Sequence, residues 1–139
     1  MKVHDVMTPH AECIAANEPI QAAAQKMKSF DVGALPVCEN DRLIGMITDR
    51  DIVVRSVCEA CDAKSTKVID VMTPHIVHCW DDQDIEDAAA LMREKKVRRL
   101  AVLDREKRLV GVVSLGDLAV ETDDEHLAWE TLERVCEPY

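Results

Sequence analysis

The chain has 139 residues, 47% hydrophobic and 32% charged, with a formal charge of −10, the composition of an ordinary soluble globular protein. The acid excess argues against non-specific binding of nucleic acid or of an anionic membrane surface. No apolar run approaches the ~20 residues of a membrane span, and the start, Met1-Lys2-Val3-His4-Asp5, lacks the apolar core of a secretory signal.

The first pattern along the chain, Asp5-Val6-Met7-Thr8-Pro9-His10, returns letter for letter as Asp70-Val71-Met72-Thr73-Pro74-His75, 65 residues later. Such identity at a fixed offset marks an internal duplication. His10 and His75 follow Thr-Pro in both copies, which suits a turn or surface role better than catalysis. Residues 19–29 then carry Ile20, Ala23, Ala24 and Met27 on one helical face, with Pro19 at the first turn. Ala34 to Cys38 and Leu43 to Thr48 are short apolar runs joined by Glu39-Asn40-Asp41-Arg42, a hairpin by composition. A second helix is expected to begin near Asp51. Cys58 and Cys61 have the spacing of half a zinc site, yet no second matching pair exists; two cysteines on one helical face are the plainer reading. The polar, aperiodic stretch 62–69 reads as a connector.

The second copy repeats each sign. Ile85, Ala88, Ala89 and Met92 form the helical face, preceded by Asp81, Asp82 and Asp84, acids that favour a helix N-terminus. Leu100 to Leu103 and Leu109 to Ser114 flank the turn Asp104 to Arg108, and a helix follows near Asp117. Each copy thus reads strand, helix, strand, strand, helix. Leu118 to Cys136 looks like one continuing helix, with Leu127, Leu132 and Val135 as a sparse apolar stripe. Trp129 lies off that stripe, as part of a tail packed on its own module or as a dimer or partner anchor. From Glu121 onward seven acids face one base, Arg134, so the tail alone carries −6. The expected division is 1–61 for the first repeat, 62–69 for the connector, 70–121 for the second repeat and 122–139 for an acidic tail. A unit of about sixty residues buries only ~60% of its unfolded surface, so the two should pack into one module.

The order of elements, the doubled Val-Met-Thr-Pro, the Gly33-Ala34-Leu35-Pro36-Val37 strand and Leu43-Ile44-Gly45-Met46-Ile47-Thr48-Asp49-Arg50-Asp51-Ile52-Val53 resemble the CBS domain. The resemblance covers nearly the whole chain. It implies an α/β fold of the α+β type, two repeats packed as a pseudo-twofold (Bateman) module, here in stand-alone form. It also implies regulatory binding of an adenosine-containing ligand, AMP, ADP, ATP, NAD or S-adenosylmethionine, in clefts between the repeats. No cofactor is obligatory in this reading.

By the same resemblance, Thr48 and Ser114 contact phosphate, while Asp51 and Asp117 accept hydrogen bonds from ribose hydroxyls. The chemistry is coherent, because a hydroxyl and the first helical N–H groups suit an anion, and an ionised carboxylate is an acceptor for a vicinal diol. A Ser or Thr followed three residues later by an acid is equally a capping box, which needs no ligand. Gly33, Ala34 and Pro36 keep the first strand small, leaving room for a flat base. The matching positions of the second copy are Arg98, Arg99 and Ala101. The arginines suit either a phosphate or ion pairs with Asp104, Glu106 or the acidic tail. Since strand neighbours alternate, one at most should face a cleft, and Arg99 is chosen.

No Ser/His/Asp set, phosphate-binding glycine loop or paired carboxylate motif stands out, so no enzyme activity is expected. Cys13, Cys38 and Cys79 lie in or beside apolar strands, where cysteine behaves as a small hydrophobe, and a reduced, cytoplasmic setting follows. The resulting expectation is a homodimeric ligand sensor that signals to an unidentified regulated protein. The alternative is a dimerisation scaffold with empty or degenerate clefts.

Overall fold

In the computed structural model, which describes residues 1–9, 12–121 and 125–136, the elements run in order. The first copy holds α1 (Val3–Val6), β1 (Thr8–Pro9), β2 (Ile14–Ala15), α2 (Ile20–Phe30), β3 (Ala34–Glu39), β4 (Arg42–Thr48) and α3 (Asp49–Ile52), which runs into a π-helical turn at Val53–Val57. The second holds α4 (Val68–Val71), β5 (Thr73–Pro74), β6 (His78–Trp80), α5 (Ile85–Lys95), β7 (Arg99–Leu103), β8 (Leu109–Ser114) and α6 (Leu115–Glu121), and α7 (Glu125–Val135) follows. The strand-helix-strand-strand-helix reading of each copy is present, preceded by a four-residue helix that ends at the valine of the Val-Met pair.

The helical faces follow their apolar spacing. Ile20, Ala23 and Met27 are the buried side of α2, where Ala24, expected on the same face, is exposed, and Ile85, Ala88, Ala89 and Met92 are that of α5. Both helices end on a residue in the left-handed region, Asp31 (φ 52°) and Lys96 (φ 53°), whose N–H returns to the carbonyl of Met27 or Met92. Pro19 is the residue just before α2 rather than its first turn. Of the acids ahead of α5, Asp84 pairs with Lys2 at 2.8 Å, and Asp82 takes a bidentate pair from Arg105 at 2.7 and 2.8 Å. The first hairpin turns on Asn40 and Asp41, both at positive φ (50° and 66°), the geometry that two-residue hairpins favour. In the longer second turn Asp104 Oδ1 accepts the N–H groups of Glu106 and Arg108 at 2.9 and 3.0 Å.

Sequence repeats and compact units are different divisions of the chain. One unit is Glu12–Ile76; the other joins Met1–Ala11 to Val77–Tyr139. Each opening motif belongs to the other copy's sheet. The sheet of the first unit has the order β2-β3-β4-β5, and that of the second β1-β8-β7-β6. Thr8 and Pro9 lie opposite Val112 and Gly111, whereas Thr73 and Pro74 lie opposite Met46 and Gly45. Pro9 and Pro74 therefore occupy edge strands, where a missing N–H is tolerated. The exchange extends to the helices. Val3 N–H bonds to Gln83 O and Ile85 N–H to Met1 O, while Val68 N–H bonds to Glu18 O and Ile20 N–H to Thr66 O.

The stretch 62–69, read as a connector, splits at this point. Ala63 to Thr66 form a turn and bend and Lys67 bridges to Pro19, but Val68 opens α4 and is buried with Val71 in the core around Ile20, Leu35 and Ile47. The second core gathers Val3, Val6, Met92, Leu100, Val113 and Leu118. The tail also departs from expectation. α6 ends at Glu121 and α7 begins at Glu125, with the junction outside the described residues. The buried side of α7 is Leu127, Thr131 and Val135 rather than Leu127, Leu132 and Val135, and Leu132 is 40% exposed. Thr131 satisfies its buried hydroxyl by donating to Leu127 O at 2.7 Å and accepting from Arg93 of α5 at 3.1 Å.

Candidate functional site

The C-terminal end of each hairpin builds the same corner. Thr48 closes β4 and caps α3: its Oγ1 accepts the Asp51 N–H at 3.0 Å, and Asp51 Oδ2 accepts the Thr48 N–H at 3.0 Å. Ser114 and Asp117 repeat this at 3.0 and 2.8 Å. Both pairs are thus closed capping boxes. The cap uses part of each group's capacity. The hydroxyl has accepted one hydrogen bond and keeps its own proton to donate, and each carboxylate gives one of its two oxygens to the cap. The cap holds in one place a donor suited to phosphate and an acceptor suited to a diol.

Strand register brings further expected residues to these corners. Ala34 lies opposite Thr48, and Arg99 lies opposite Ser114, so a methyl and a guanidinium occupy equivalent places. The carbonyls of Gly33 and Arg98 accept the N–H groups of Asp49 and Leu115 at 2.9 and 2.8 Å. Pro36, two residues along from Ala34, is buried. Parallel pairing of β2 with β3 starts at Ile14 and Val37, one residue past this proline, whereas Ala101, which has an N–H, lies opposite His78. The exchange of proline for alanine thus lengthens the second parallel pair by one residue.

A residue that sequence reading passed over, Arg55, holds the first corner to β5. One guanidinium nitrogen donates to Val71 O, Met72 O and Thr73 Oγ1 at 3.0, 3.1 and 3.2 Å, and the other lies 3.8 Å from Asp51 Oδ1. Its spacing of four from Asp51 on a helix was the available signal.

At the second corner an open cavity of about 680 Å³ has Arg98, Arg99, Ser114 and Gly116 on one side and Trp129 and Leu132 of α7 on another. Both arginines are on its lining; Arg98 precedes β7, where strand alternation does not yet apply. Asp104 and Glu106 are paired with Arg108 at 3.0 and 2.9 Å. Among the described residues neither Arg98 nor Arg99 makes an ion pair. The cavity also shows that the tail is not one straight helix, since at about 1.5 Å per residue Ser114 and Trp129 would stand roughly 22 Å apart.

The remaining candidates do not converge. Cys58 and Cys61 are exposed beyond the π-helical turn, not on a helical face, and no cluster of metal ligands occurs among the described residues. His75 is exposed at positive φ (54°), and His10 lies outside the described residues. Trp80 stacks under Arg105 at 5.0 Å and meets His78 edge-on. Burial pushes the thiols of Cys38 and Cys79 up to about 12, which leaves almost no thiolate at neutral pH. In native protein at pH 8, iodoacetamide should therefore modify exposed Cys58, Cys61 and Cys136 well before Cys38 and Cys79. Peptide mapping by mass spectrometry checks this, and early labelling of Cys79 would contradict it.

No helix among the described residues is long and apolar enough to cross a membrane. The CBS domain family matches residues 3–57 and 68–122. CBS domain-containing protein YhcV of Bacillus subtilis is 43% identical over 118 residues, 85% of this chain and 83% of the relative. Hypoxic response protein 1 of Mycobacterium tuberculosis is 35% identical over 135 residues, 96% of this chain and 93% of the relative. A crystal structure of Hypoxic Response Protein I with two coordinated zinc ions superposes with a TM-score of 0.80 at 34% identity, covering 88% of this chain and 99% of that one. The structure of CBSX2 in complex with AMP has a TM-score of 0.72 at 28% identity, covering 85% and 93%. With the duplicated strand-and-helix unit and both hydroxyl–carboxylate corners, these matches establish that the chain belongs to the CBS domain family, as a tandem pair of CBS domains.

Proposed function

We propose that this CBS pair is a regulatory module, not an enzyme, that binds an adenosine-containing ligand and passes its occupancy to a protein partner. The observation that carries the reading is the repeated corner in which a capped hydroxyl and a capped carboxylate each keep hydrogen-bonding capacity. The similarity to CBSX2, whose structure holds AMP, supports an adenine nucleotide as the ligand. AMP leads the candidates, ahead of ADP, ATP, NAD and S-adenosylmethionine. A cytoplasmic homodimer is part of the proposal. Val53, Val54 and Val57 are 53%, 47% and 64% exposed on the π-helical turn, an apolar face suited to a second copy.

Thr48, Asp51, Ala34 and Pro36 form the tighter site in this reading, because Ala34 is small where the second corner carries Arg99, and Ser114, Asp117 and Arg99 form the weaker one. Asp51→Ala should lower AMP affinity by roughly 1–3 kcal/mol, the worth of a hydrogen bond to a charged group. Loss of the Asp51 half of the capping box, its hydrogen bond from the Thr48 N–H, should separately lower stability by about 0.5–1.5 kcal/mol. Calorimetric titration of folded protein, with a thermal melt of the same sample, separates the two. Equal AMP affinity in wild type and Asp51→Ala, with the loss appearing in Asp117→Ala, would reverse the ranking. The second reading, a dimerisation scaffold with empty corners, is favoured by capping boxes that close without any ligand. Absence of binding for all five compounds, with the dimer intact, would establish that reading instead.

A further inference from the structure

We propose that α7 forms part of the second ligand corner: Trp129 stacks on the base of a nucleotide whose phosphate is held by Arg98, Arg99 and Ser114. The proposal rests on the nucleotide reading above and adds a wall that the CBS repeat itself does not contain. Three observations carry it.

First, the cavity of about 680 Å³ falls within the ~300–1,000 Å³ of small-molecule sites. Second, its lining combines two chemistries. Arg98 and Arg99, without ion pairs among the described residues, and the hydroxyl residue Ser114 line it together with the apolar Leu115 of α6 and Ala128, Trp129 and Leu132 of α7. In a chain of charge −10, two adjacent arginines without an ion pair among the described residues are complementary to a compact anion. Glu125 also lies on the lining and disfavours a long polyphosphate on its side.

Third, the indole is placed without being consumed by packing. Leu127, Thr131 and Val135 anchor α7, with Arg93 of α5 bonded to Thr131. Trp129, midway between two of those anchors, falls on the opposite side of the helix and is 65% exposed. A large flat ring held at the edge of a basic cavity is a stacking platform for a base.

The test uses the full chain with Trp80→Phe, so that Trp129 is the remaining tryptophan, and with Asp51→Ala to weaken the first corner. AMP should quench Trp129 emission in a saturable way, and ribose 5-phosphate should bind without quenching. Trp129→Ala should weaken AMP about fivefold or more in calorimetry and leave ribose 5-phosphate unchanged, and Trp129→Phe should restore part of the loss. Calorimetric AMP binding with silent emission and an unaffected Trp129→Ala variant would overturn the stacking role while leaving the nucleotide reading in place. Equal quenching by ribose 5-phosphate would overturn it too, because the response would then not need a base. Failure of AMP to bind even the wild-type chain would remove the nucleotide reading and this inference with it.

Discussion

Residues 12–76 expressed alone should show a cooperative urea transition, and residues 1–64, a fragment of nearly equal length, should show none. The longer-range strand exchange is the reason. The unit Glu12–Ile76 takes its edge strand β5 and the buried Val68 and Val71 from beyond residue 64. It also loses there the Thr66 carbonyl that receives the Ile20 N–H and the Val68 N–H that reaches Glu18 O. The α1 and β1 that fragment 1–64 keeps belong to the other sheet and core. A unit of this size buries only ~60% of its unfolded surface, so its midpoint should fall below that of the full chain. Far-ultraviolet circular dichroism during urea titration checks both fragments. A cooperative transition in 1–64 with none in 12–76 would show that the opening motif folds with its own copy.

Gly45→Ala and Gly111→Ala should each destabilise the full chain by roughly 1–3 kcal/mol, the usual range for overpacking. A β-carbon at Gly45 would meet Thr73 O at 2.6 Å and Met72 Sδ at 2.8 Å; at Gly111 it would meet Thr8 O at 2.6 Å and Met7 Sδ at 2.7 Å. A methionine sulfur can swing aside, but the carbonyl belongs to the backbone of the docked strand. Neither glycine has positive φ, so the effect is steric and not conformational. Gly116→Ala supplies the control. Its nearest contact would be Ser114 Oγ at 3.5 Å within α6, where alanine gains helix propensity of about 0.5–1 kcal/mol over glycine. Thermal melting should therefore fall for the first two variants and hold or rise for the third. Unchanged melting of Gly45→Ala and Gly111→Ala would mean that Thr-Pro does not lie against those strands.

The duplicated hexapeptide and the matching glycines are two ends of one contact. Met72-Thr73-Pro74 lies on Gly45, and Met7-Thr8-Pro9 lies on Gly111. Either letter pattern is visible in the sequence, yet nothing local says which copy a two-residue strand will join. The Arg98–Arg99 pair carries a similar lesson. Alternation is a rule for residues inside a strand, and the strand begins only at Arg99, a boundary that apolar spacing does not reveal. The ligand contacts assigned to Thr48, Asp51, Ser114 and Asp117 remain proposals, although the capping half of the Ser/Thr-x-x-Asp pattern is realised in full at both corners.

Sequence by itself determined the two-copy plan, the buried face of α5 and, Ala24 apart, that of α2, the hairpin on Asn40-Asp41 and the capped corners at Thr48 and Ser114. Each depends on residues within a few positions of one another, through helical period, turn chemistry or a side-chain-to-backbone hydrogen bond. Only the tertiary structure decided the exchange of α1-β1 with α4-β5, the clamp of Arg55 on Val71, Met72 and Thr73, and the return of α7 that sets Trp129 beside Ser114. Those choices join segments far apart in the chain, where the outcome is set by which distant backbone groups find partners and which apolar faces can be covered together, and neither quantity is a property of any single stretch of residues.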